Sequence, residues 1–456
     1  MEWLRPLARW CADGTAARLA DEARDRSGLA VLDWLGAFYA GTEAPEATGY
    51  RQAAQMLAEG GAYTPAGEAW LSGCISHIAE VDDGHRLGML HPGVVSVPPV
   101  MALAARRKVT VGQLRAAIAV GYELSVRVGA ALGPAHYKKH HSTGTAGSFG
   151  AAAAVAAMLD SDEERFLSAF GHAGTQAAGL WQVLDDSAEA AKAAHVGHAV
   201  RNGFYAAALA SAGVPGAGRV LEGPRGIGAA FGLAIDREAL APASSAGELA
   251  LATATTKVWP VCGQMHHVLD AVQTLRARGF VPAEEIAEIR IESYAATKEI
   301  AGITDPRTPA QARFSTAFCT AALWLTGRIS HTSLSMQALS EPEIGILARK
   351  VFLVEDPELT AGFPKRRAAR VEIVTASGTR MAHTQEGRRG DPEWPLSRKE
   401  MDERFKAFAA AQPDDRQRAA REFAALVAEG EADKPLDPRI VSSLVLPAIH
   451  DIGKIK

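Results

Sequence analysis

The sequence predicts a mainly α-helical protein with a smaller α+β unit in its second half. Residues 15–268 are rich in alanine and leucine and repeat apolar side chains at helical spacing. By contrast, residues 286–381 contain several short runs of β-prone residues. With 456 residues, the chain exceeds the length at which one hydrophobic core stops growing. We therefore expect two or three domains.

The composition excludes several classes of protein. The chain is 48% hydrophobic and 22% charged, which is typical of a globular protein. Its formal net charge of -4 gives no electrostatic footprint for nucleic acid or an anionic membrane. Its four cysteines are widely spaced with no CxxC pair, so we expect neither a disulfide framework nor structural zinc. The first ten residues hold two arginines and no long apolar run, so we expect no export signal and a cytoplasmic location.

Two segments of the first region indicate helices. Leu29, Leu32, Leu35 and Phe38 recur at helical spacing. Residues 142–159 hold no charged side chain over a length that approaches a membrane span. They are mainly Ala, Gly, Ser and Thr, which gain little from transfer into hydrocarbon. We predict that this segment is a buried helix entered through a glycine-rich loop.

The strand signals define the α+β unit. Residues 286–294 contain an alternating apolar and polar run, residues 351–354 form a β-prone block, and residues 371–381 fit a hairpin with Ser377-Gly378 at its turn. A helical stretch at 315–325 interleaves with them, so we predict an α+β unit over residues 269–394. Ser397 and Glu400 form a capping box that opens a helix. Helical composition then continues to residue 456, and this last segment is expected to pack on the first region.

The first cluster of ionisable side chains lies between His77 and His91. It contains Glu80, Asp82 and Asp83 together with three histidines. A carboxylate beside an imidazole can orient the ring and tune its pKa, so this cluster could supply a general acid and a general base. The spacing matches no zinc or calcium signature, and we predict no metal site. A solvated loop with a helix cap is the alternative.

The second cluster is the run KKHHSTGTAGSFG at residues 138–150. It places Thr143, Gly144 and Thr145 beside the start of a predicted helix, where unpaired N–H groups suit a carboxylate or phosphate. The glycines fall as GxxGxxG, which is neither a dinucleotide fingerprint nor a P-loop, so a nucleotide cofactor is not expected. Alternatively, these glycines allow close helix packing.

Two further clusters contain lysines. Lys192 and His195 are three residues apart among alanines, so they share one helix face. This lysine could be a desolvated base, a carboxylate clamp, or a side chain that simply extends to water. Lys257, Cys262 and His266 surround a Pro/Gly turn. Cysteine catalysis there would require a lowered thiol pKa and a neighbouring base.

The chain resembles members of the MmgE/PrpD family in the order and content of these clusters and of several shorter motifs. This family includes 2-methylcitrate dehydratase, cis-aconitate decarboxylase and iminodisuccinate epimerase. The resemblance covers nearly the whole chain and rests on residues 77–83, 91–93, 121–123, 141–147, 192–197, 221–223, 257–266, 305–308 and 314–315. It implies a large helical domain, residues 1–268 plus 395–456, with a smaller α+β lid domain inserted at residues 269–394. It also implies a homodimer that needs no cofactor or metal, with the active site between the domains.

The resemblance further implies which side chains form the pocket. Removing a proton α to a carboxylate creates negative charge that Lys192, Lys257 and nearby backbone N–H groups could stabilise. His91 or His141 would then act as base or acid. The residues predicted to be catalytic are Glu80, Asp82, His91, His141, Lys192 and His266. The residues predicted to bind substrate are Thr143, Gly144, Thr145, His195, Lys257 and Cys262.

Such a pocket supports three reactions. Protonation of a β-hydroxyl gives dehydration, return of the proton on the other face gives epimerisation, and loss of carbon dioxide gives decarboxylation. Family frequency places dehydration of a hydroxy di- or tricarboxylate first and epimerisation of a small dicarboxylate second. Phe318 stands where decarboxylase-like relatives often have tyrosine. A non-catalytic carboxylate-binding paralogue is a third interpretation, although the ionisable residues are retained.

Overall fold

The computed structural model describes residues 2–58, 63–243, 248–330 and 333–450. Helices make up most of it: α1 (Arg5–Ala12), α2 (Thr15–Glu22), α3 (Arg24–Thr42), α4 (Ala47–Leu57), α5 (Pro65–Ile78), α6 (Gly93–Ala104), α7 (Val111–Tyr137), α8 (Ser142–Met158), α9 (Glu163–Gly174), α10 (Gln182–Asp185), α11 (Lys192–Ser211), α12 (Ile227–Phe231), α13 (His266–Arg278), α14 (Ala295–Ala301), α15 (Pro309–Ala312), α16 (Thr316–Thr326), α17 (Met336–Ser340), α18 (Pro342–Ala348), α19 (Pro357–Gly362), α20 (Arg398–Phe408), α21 (Asp414–Glu429) and α22 (Pro438–His450). Within the described ranges, the strands are β1 (Ile286–Ser293), β2 (Val351–Glu355), β3 (Ala369–Thr375) and β4 (Arg380–Gln385). The fold is mainly α, as predicted.

Helix α8 lies at the centre of the helical body. Every residue from 142 to 156 is buried, and helices α6, α7, α9 and α11 pack around it. A helix that is covered on all sides must be apolar all round, which explains why this segment carries no charge. The prediction of a buried helix is therefore confirmed. The predicted entry loop is wrong, because the helix begins at Ser142.

Helix α7 is long and apolar enough to cross a membrane by length and composition alone. However, 78% of its apolar window is buried inside the protein, which is typical of a core helix. Its first turn is fixed by a capping box between Thr110 and Gln113. Gly133 has a φ of 71°, a left-handed conformation that suits glycine, and it interrupts the helix before Pro134. The final turn therefore changes direction, and Tyr137 joins the core beside the sheet.

The C-terminal helices pack back on the N-terminal ones. Helices α20 and α21 lie against α3, and the predicted capping box between Ser397 and Glu400 opens α20. Arg115 of α7 donates from Nε to the carbonyl of Val427 at 2.6 Å and from Nη2 to the carbonyl of Gly430 at 2.7 Å. This arginine satisfies carbonyl groups at the end of α21 that would otherwise lack partners.

A second core surrounds the sheet, whose strand order is β2-β1-β3-β4. Strands β1 and β2 are parallel, and the other pairs are antiparallel. Ile289 lies opposite Val351 on one side and Ile373 on the other. The predicted strand runs and hairpin are thus present. This core also takes in Val261 and Met265, which precede residue 269, and the domain boundaries at 268/269 and 394/395 stay a prediction.

The close contact between α8 and α11 gives a test of the packing. A Cβ added at Gly203 would lie 2.5 Å from the backbone nitrogen of Ala152, so the helices must separate in Gly203→Ala. We expect this variant to lower the free energy of unfolding by about 1–3 kcal/mol, measured by urea denaturation.

Gly49→Ala in α4 is the matched control. No described atom lies within 4 Å of a Cβ at this position, and alanine restricts the unfolded chain more than glycine does. We expect a gain of about 0.5–1 kcal/mol. A Gly203→Ala variant as stable as Gly49→Ala would contradict the packing described here.

Candidate active site

A small cavity lies where the helical body meets the core around the sheet. The chain brings six of the predicted side chains to its wall: Glu80, His91, His141, Lys192, Lys257 and Cys262. Trp181, Phe314 and Met89 supply apolar surface. The prediction that distant clusters meet in one pocket therefore agrees with the geometry for these six residues.

Glu80 bridges the two lysines of the cavity. It lies two residues after α5 with a φ of 55°, which is a strained backbone conformation for a residue other than glycine. Its Oε1 pairs with Lys192 Nζ, and its Oε2 lies 2.9 Å from Lys257 Nζ. Burial alone would raise the pKa of Glu80, but the two ammonium groups outweigh it and hold this pKa below its usual range. Glu80 is thus ionised.

Lys257 is held by backbone and side-chain oxygens. Its Nζ also donates to the carbonyl of Glu80 at 3.2 Å and lies 3.6 Å from Asp82 Oδ1. Burial alone would lower the pKa of Lys257. The carboxylates of Asp82 and Glu80 outweigh burial and raise this pKa above its usual value. The cavity therefore contains a fully buried, protonated lysine.

Asp82 lies between two histidines, and one of them, His77, also contacts Lys192. Its Oδ2 lies 2.7 Å from His77 Nδ1 and 3.1 Å from His91 Nδ1. Lys192 Nζ donates to His77 Nε2 at 2.7 Å, and because an ammonium only donates, His77 carries its proton on Nδ1. Burial lowers the pKa of His77 to about 4. His77 is therefore a neutral imidazole that links Lys192 to Asp82.

His91 has one defined tautomer. Its Nδ1 lies 2.6 Å from the backbone carbonyl of Asp83, and since both this carbonyl and the Asp82 carboxylate only accept, Nδ1 must carry the proton. Burial lowers the pKa of His91 below its usual value. Nε2 therefore offers a free lone pair at the cavity wall. Asp83 is itself fixed by the N–H of Gly93 at 3.0 Å and the hydroxyl of Tyr122 at 2.7 Å.

His141 has no protein partner in the described part of the chain. It is 1% exposed, caps the start of α8, and neither of its ring nitrogens makes a hydrogen bond to a described residue. Burial, followed by the charge of Lys192, lowers the pKa of His141 well below its usual value. Its ring centre lies 6.3 Å from that of His91. One N–H and one lone pair are thus available to a bound molecule.

Three predicted substrate-binding residues lie behind the wall instead of on it. Because α8 begins at Ser142, the N–H groups of Gly144 and Thr145 donate to the carbonyl of His141 at 2.8 and 3.3 Å and are not free for an anion. The hydroxyl of Thr143 accepts from the N–H of His91 at 3.2 Å. In this structure these residues contact the two histidines, and their direct contact with a substrate stays a prediction.

His266 and His195 also lie outside the cavity lining. His266 is fully buried, and its Nε2 lies 3.2 Å from the carbonyl of Val261, so it ties the turn to α13. The ring of His195 lies 5.6 Å from that of His141, and it is not part of the cavity lining. The predicted catalytic role of His266 and the predicted substrate binding by His195 stay predictions. Cys262 does line the cavity, but burial raises the pKa of its thiol, so it is not a thiolate.

Part of the cavity wall was not predicted from the sequence. Phe314, and not Phe318, presents an aromatic ring to the cavity. Six polar residues of the lining were not among the predicted site residues: His85, Tyr137, Thr255, Gln264, Arg367 and Arg388. The first four lie within or beside the clusters that the sequence singled out, whereas the two arginines lie far along the chain with no spacing signal.

Three histidines could be considered as metal ligands. Ring nitrogens of His77, His91 and His141 lie within 4.8 Å of one another. However, both ring nitrogens of His77 already make hydrogen bonds, Nδ1 to Asp82 and Nε2 to Lys192. The ammonium group 2.7 Å from Nε2 would also repel a cation. This donor set therefore does not fit a metal ion.

The chain is similar to known proteins over most of its length. The model of the MmgE/PrpD N-terminal domain matches residues 5–236, and that of the MmgE/PrpD C-terminal domain matches residues 259–429. The cis-aconitate decarboxylase of Homo sapiens is 25% identical over 419 residues, which cover 86% of this chain and 84% of that protein. The Mus musculus protein of the same name is 24% identical over 426 residues, or 86% and 83% of the two chains.

A third relative covers a shorter stretch. The cis-aconitate decarboxylase-like protein oryM of Aspergillus oryzae is 34% identical over 169 residues, 35% of each chain. Together the matches support an enzyme of a lyase-type family. Since the two domain models cover most of the sequence, this chain belongs to the MmgE/PrpD family.

Proposed function

We propose that this protein is a lyase that needs no cofactor and acts on a small di- or tricarboxylate by removing a proton α to a carboxylate. The reaction that we propose is dehydration of a hydroxy acid, as in 2-methylcitrate dehydratase. One observation carries this proposal: the neutral imidazoles of His91 and His141 share a cavity with two buried ammonium groups. We also propose a cytoplasmic homodimer, which stays a prediction.

His91 is suited to act as the general base. Its Nδ1 proton is held by the Asp83 carbonyl and Asp82, so Nε2 is the only ring nitrogen that can accept a proton. When Nε2 takes the proton, the imidazolium is stabilised by the Asp82 carboxylate 3.1 Å from Nδ1. A positioned base of this kind contributes about 10²–10⁴ to the rate.

The two lysines are suited to bind the developing negative charge. Loss of the α-proton spreads charge onto the carboxylate oxygens, which an ammonium group stabilises strongly where water is excluded. Lys192 and Lys257 are 4% and 3% exposed. Glu80 keeps both in place before substrate binds, so little reorganisation is needed during the reaction.

His141 is suited to donate a hydrogen bond to the leaving hydroxyl. A neutral imidazole has one N–H to donate, and neither nitrogen of His141 is occupied by another described residue. The proton that His91 takes from the α-carbon is the one that can leave with the hydroxyl as water. If a proton instead returns to the other face of the α-carbon, the outcome is epimerisation. Decarboxylation is the second candidate, because the two relatives that span most of the chain are named cis-aconitate decarboxylases.

Incubation in deuterated water with a panel of di- and tricarboxylates tests the proposal. The panel should contain citrate, 2-methylcitrate, malate and cis-aconitate, with products followed by NMR and mass spectrometry. We expect loss of water from a hydroxy acid. Loss of carbon dioxide would favour the second candidate, and deuterium at the α-carbon without net change would indicate epimerisation. Binding without exchange would indicate a non-catalytic paralogue.

Substitution of the proposed base and charge-binding residues should reduce turnover. We expect His91→Ala and Lys192→Ala each to lower kcat at least about tenfold, a barrier increase of more than about 1.4 kcal/mol. Matched controls are His198→Ala and Lys139→Ala, whose side chains are exposed and outside the cavity lining. Near-native kcat in both cavity variants would remove these residues from the mechanism.

The pH profile should report the lowered pKa of His91. The free base is active only while Nε2 is unprotonated, so kcat/KM must fall as the pH drops through the pKa of His91. Since burial moves that pKa below the usual 6.5, the acid limb of kcat/KM should lie below pH 6.5. A limb at or above pH 6.5 would show that His91 is not a base of this kind.

A further inference from the structure

Arg367 is a buried cation that the catalytic scheme does not use. Its side chain lines the cavity, and the residue is only 6% exposed. Its Nη2 donates to the carbonyl of Arg86 at 3.2 Å, while its Nε has no hydrogen-bond partner among the described residues. Within those same ranges, no carboxylate forms an ion pair with it. Burying a guanidinium without a counter-charge is costly.

The neighbouring arginine shows the contrast. Arg388 also lines the cavity, but its Nε and Nη2 lie 3.2 and 2.7 Å from the carboxylate oxygens of Asp391. Its Nη1 donates to the carbonyl of Gly263 at 3.2 Å. Burial and the nearby charge of Arg388 lower the pKa of Arg367. Arg388 is therefore neutralised by the protein, whereas Arg367 is not.

Arg367 differs from the two lysines in its surroundings. It lies two residues before β3, and its guanidinium lies 5.4 Å from the ring centre of Phe363. Lys192 and Lys257 are instead joined to Glu80. The same cavity thus has two lysines that pair with a carboxylate of the protein and one guanidinium that lacks an anion among the described residues.

We infer that Arg367 binds a second carboxylate of the substrate, the one that does not react, and thereby restricts the site to di- and tricarboxylates. This inference rests on the proposed function, in which the reacting carboxylate lies beside Lys192 and Lys257. A planar guanidinium with a free Nε matches the two oxygens of a carboxylate. Arg367 and the two lysines line the same cavity, so one small molecule can contact both.

Calorimetric binding to two unreactive probes tests the inference. Propane-1,2,3-tricarboxylate has no hydroxyl to lose, and butyrate is its counterpart with a single carboxylate. We expect Arg367→Gln to weaken tricarboxylate binding by about tenfold or more, since charged hydrogen bonds are lost, while butyrate affinity stays unchanged. Arg367→Lys should be intermediate because it restores the charge without the planar fork.

Arg366→Gln is the matched control. Its guanidinium is exposed, pairs with Glu386 at 2.6 Å and lies outside the cavity lining, so the affinity for both probes should match that of the wild type. Urea denaturation without ligand provides a second measurement. Because the Arg367 charge is uncompensated, we expect Arg367→Gln to be at least as stable as the wild type.

Several outcomes would overturn the inference. If Arg367→Gln binds the tricarboxylate as the wild type does, or loses affinity for both probes equally, Arg367 does not hold a second carboxylate. A clear loss of stability in Arg367→Gln without ligand would assign the residue to the fold instead. Failure of the wild type to bind the tricarboxylate at all would overturn the proposed function together with this inference.

Discussion

The buried ion triad of Lys192, Glu80 and Lys257 is the interaction on which the site depends. Two ammonium groups cannot lie side by side in a nearly dry cavity unless a carboxylate separates them. The left-handed backbone at Glu80 places its two oxygens between them. Removing one member leaves a buried charge without a partner, which typically costs about 3–5 kcal/mol.

The C-terminal helices support this triad from outside. Arg404 of α20 donates to the carbonyl of Lys257 at 2.8 Å and also to the carbonyl of Val81, next to Glu80. Its remaining nitrogen pairs with Asp33 of α3. One side chain thus holds the two segments that carry Glu80 and Lys257. This explains why the helices after the sheet must return to the N-terminal body for the cavity to form.

Burial has opposite consequences for the lysines and the histidines. It opposes charge on every group, but Lys257 has carboxylates within reach that restore its charge. His141 has no such partner among the described residues and stays neutral, and His91 stays neutral although Asp82 favours its protonated form. The same buried environment therefore yields charged lysines and neutral imidazoles. This combination suits the proposed chemistry α to a carboxylate.

The sequence predicted much of the helical side of the site and little of the sheet side. Clusters of histidines, acids and lysines in an alanine-rich background are visible by composition, and the charge-free run identified α8 correctly. The N–H groups near Gly144 were misassigned because helix boundaries are poorly defined by sequence, and α8 begins earlier than predicted. The position of Arg367 in the cavity wall could not be predicted from the sequence, because an arginine without a counter-charge is recognised only from the distances around it.

Neutral His91 with its proton on Nδ1 is the central requirement of the proposed chemistry. Nitrogen-15 NMR of histidine-labelled protein measures this state directly, with His91→Gln used to assign the signal. At pH 7 we expect a protonated Nδ1 and an unprotonated Nε2, with conversion to imidazolium only below pH 6.5, since burial lowers this pKa. A doubly protonated His91 at pH 7, or a proton on Nε2 alone, would contradict its role as the base.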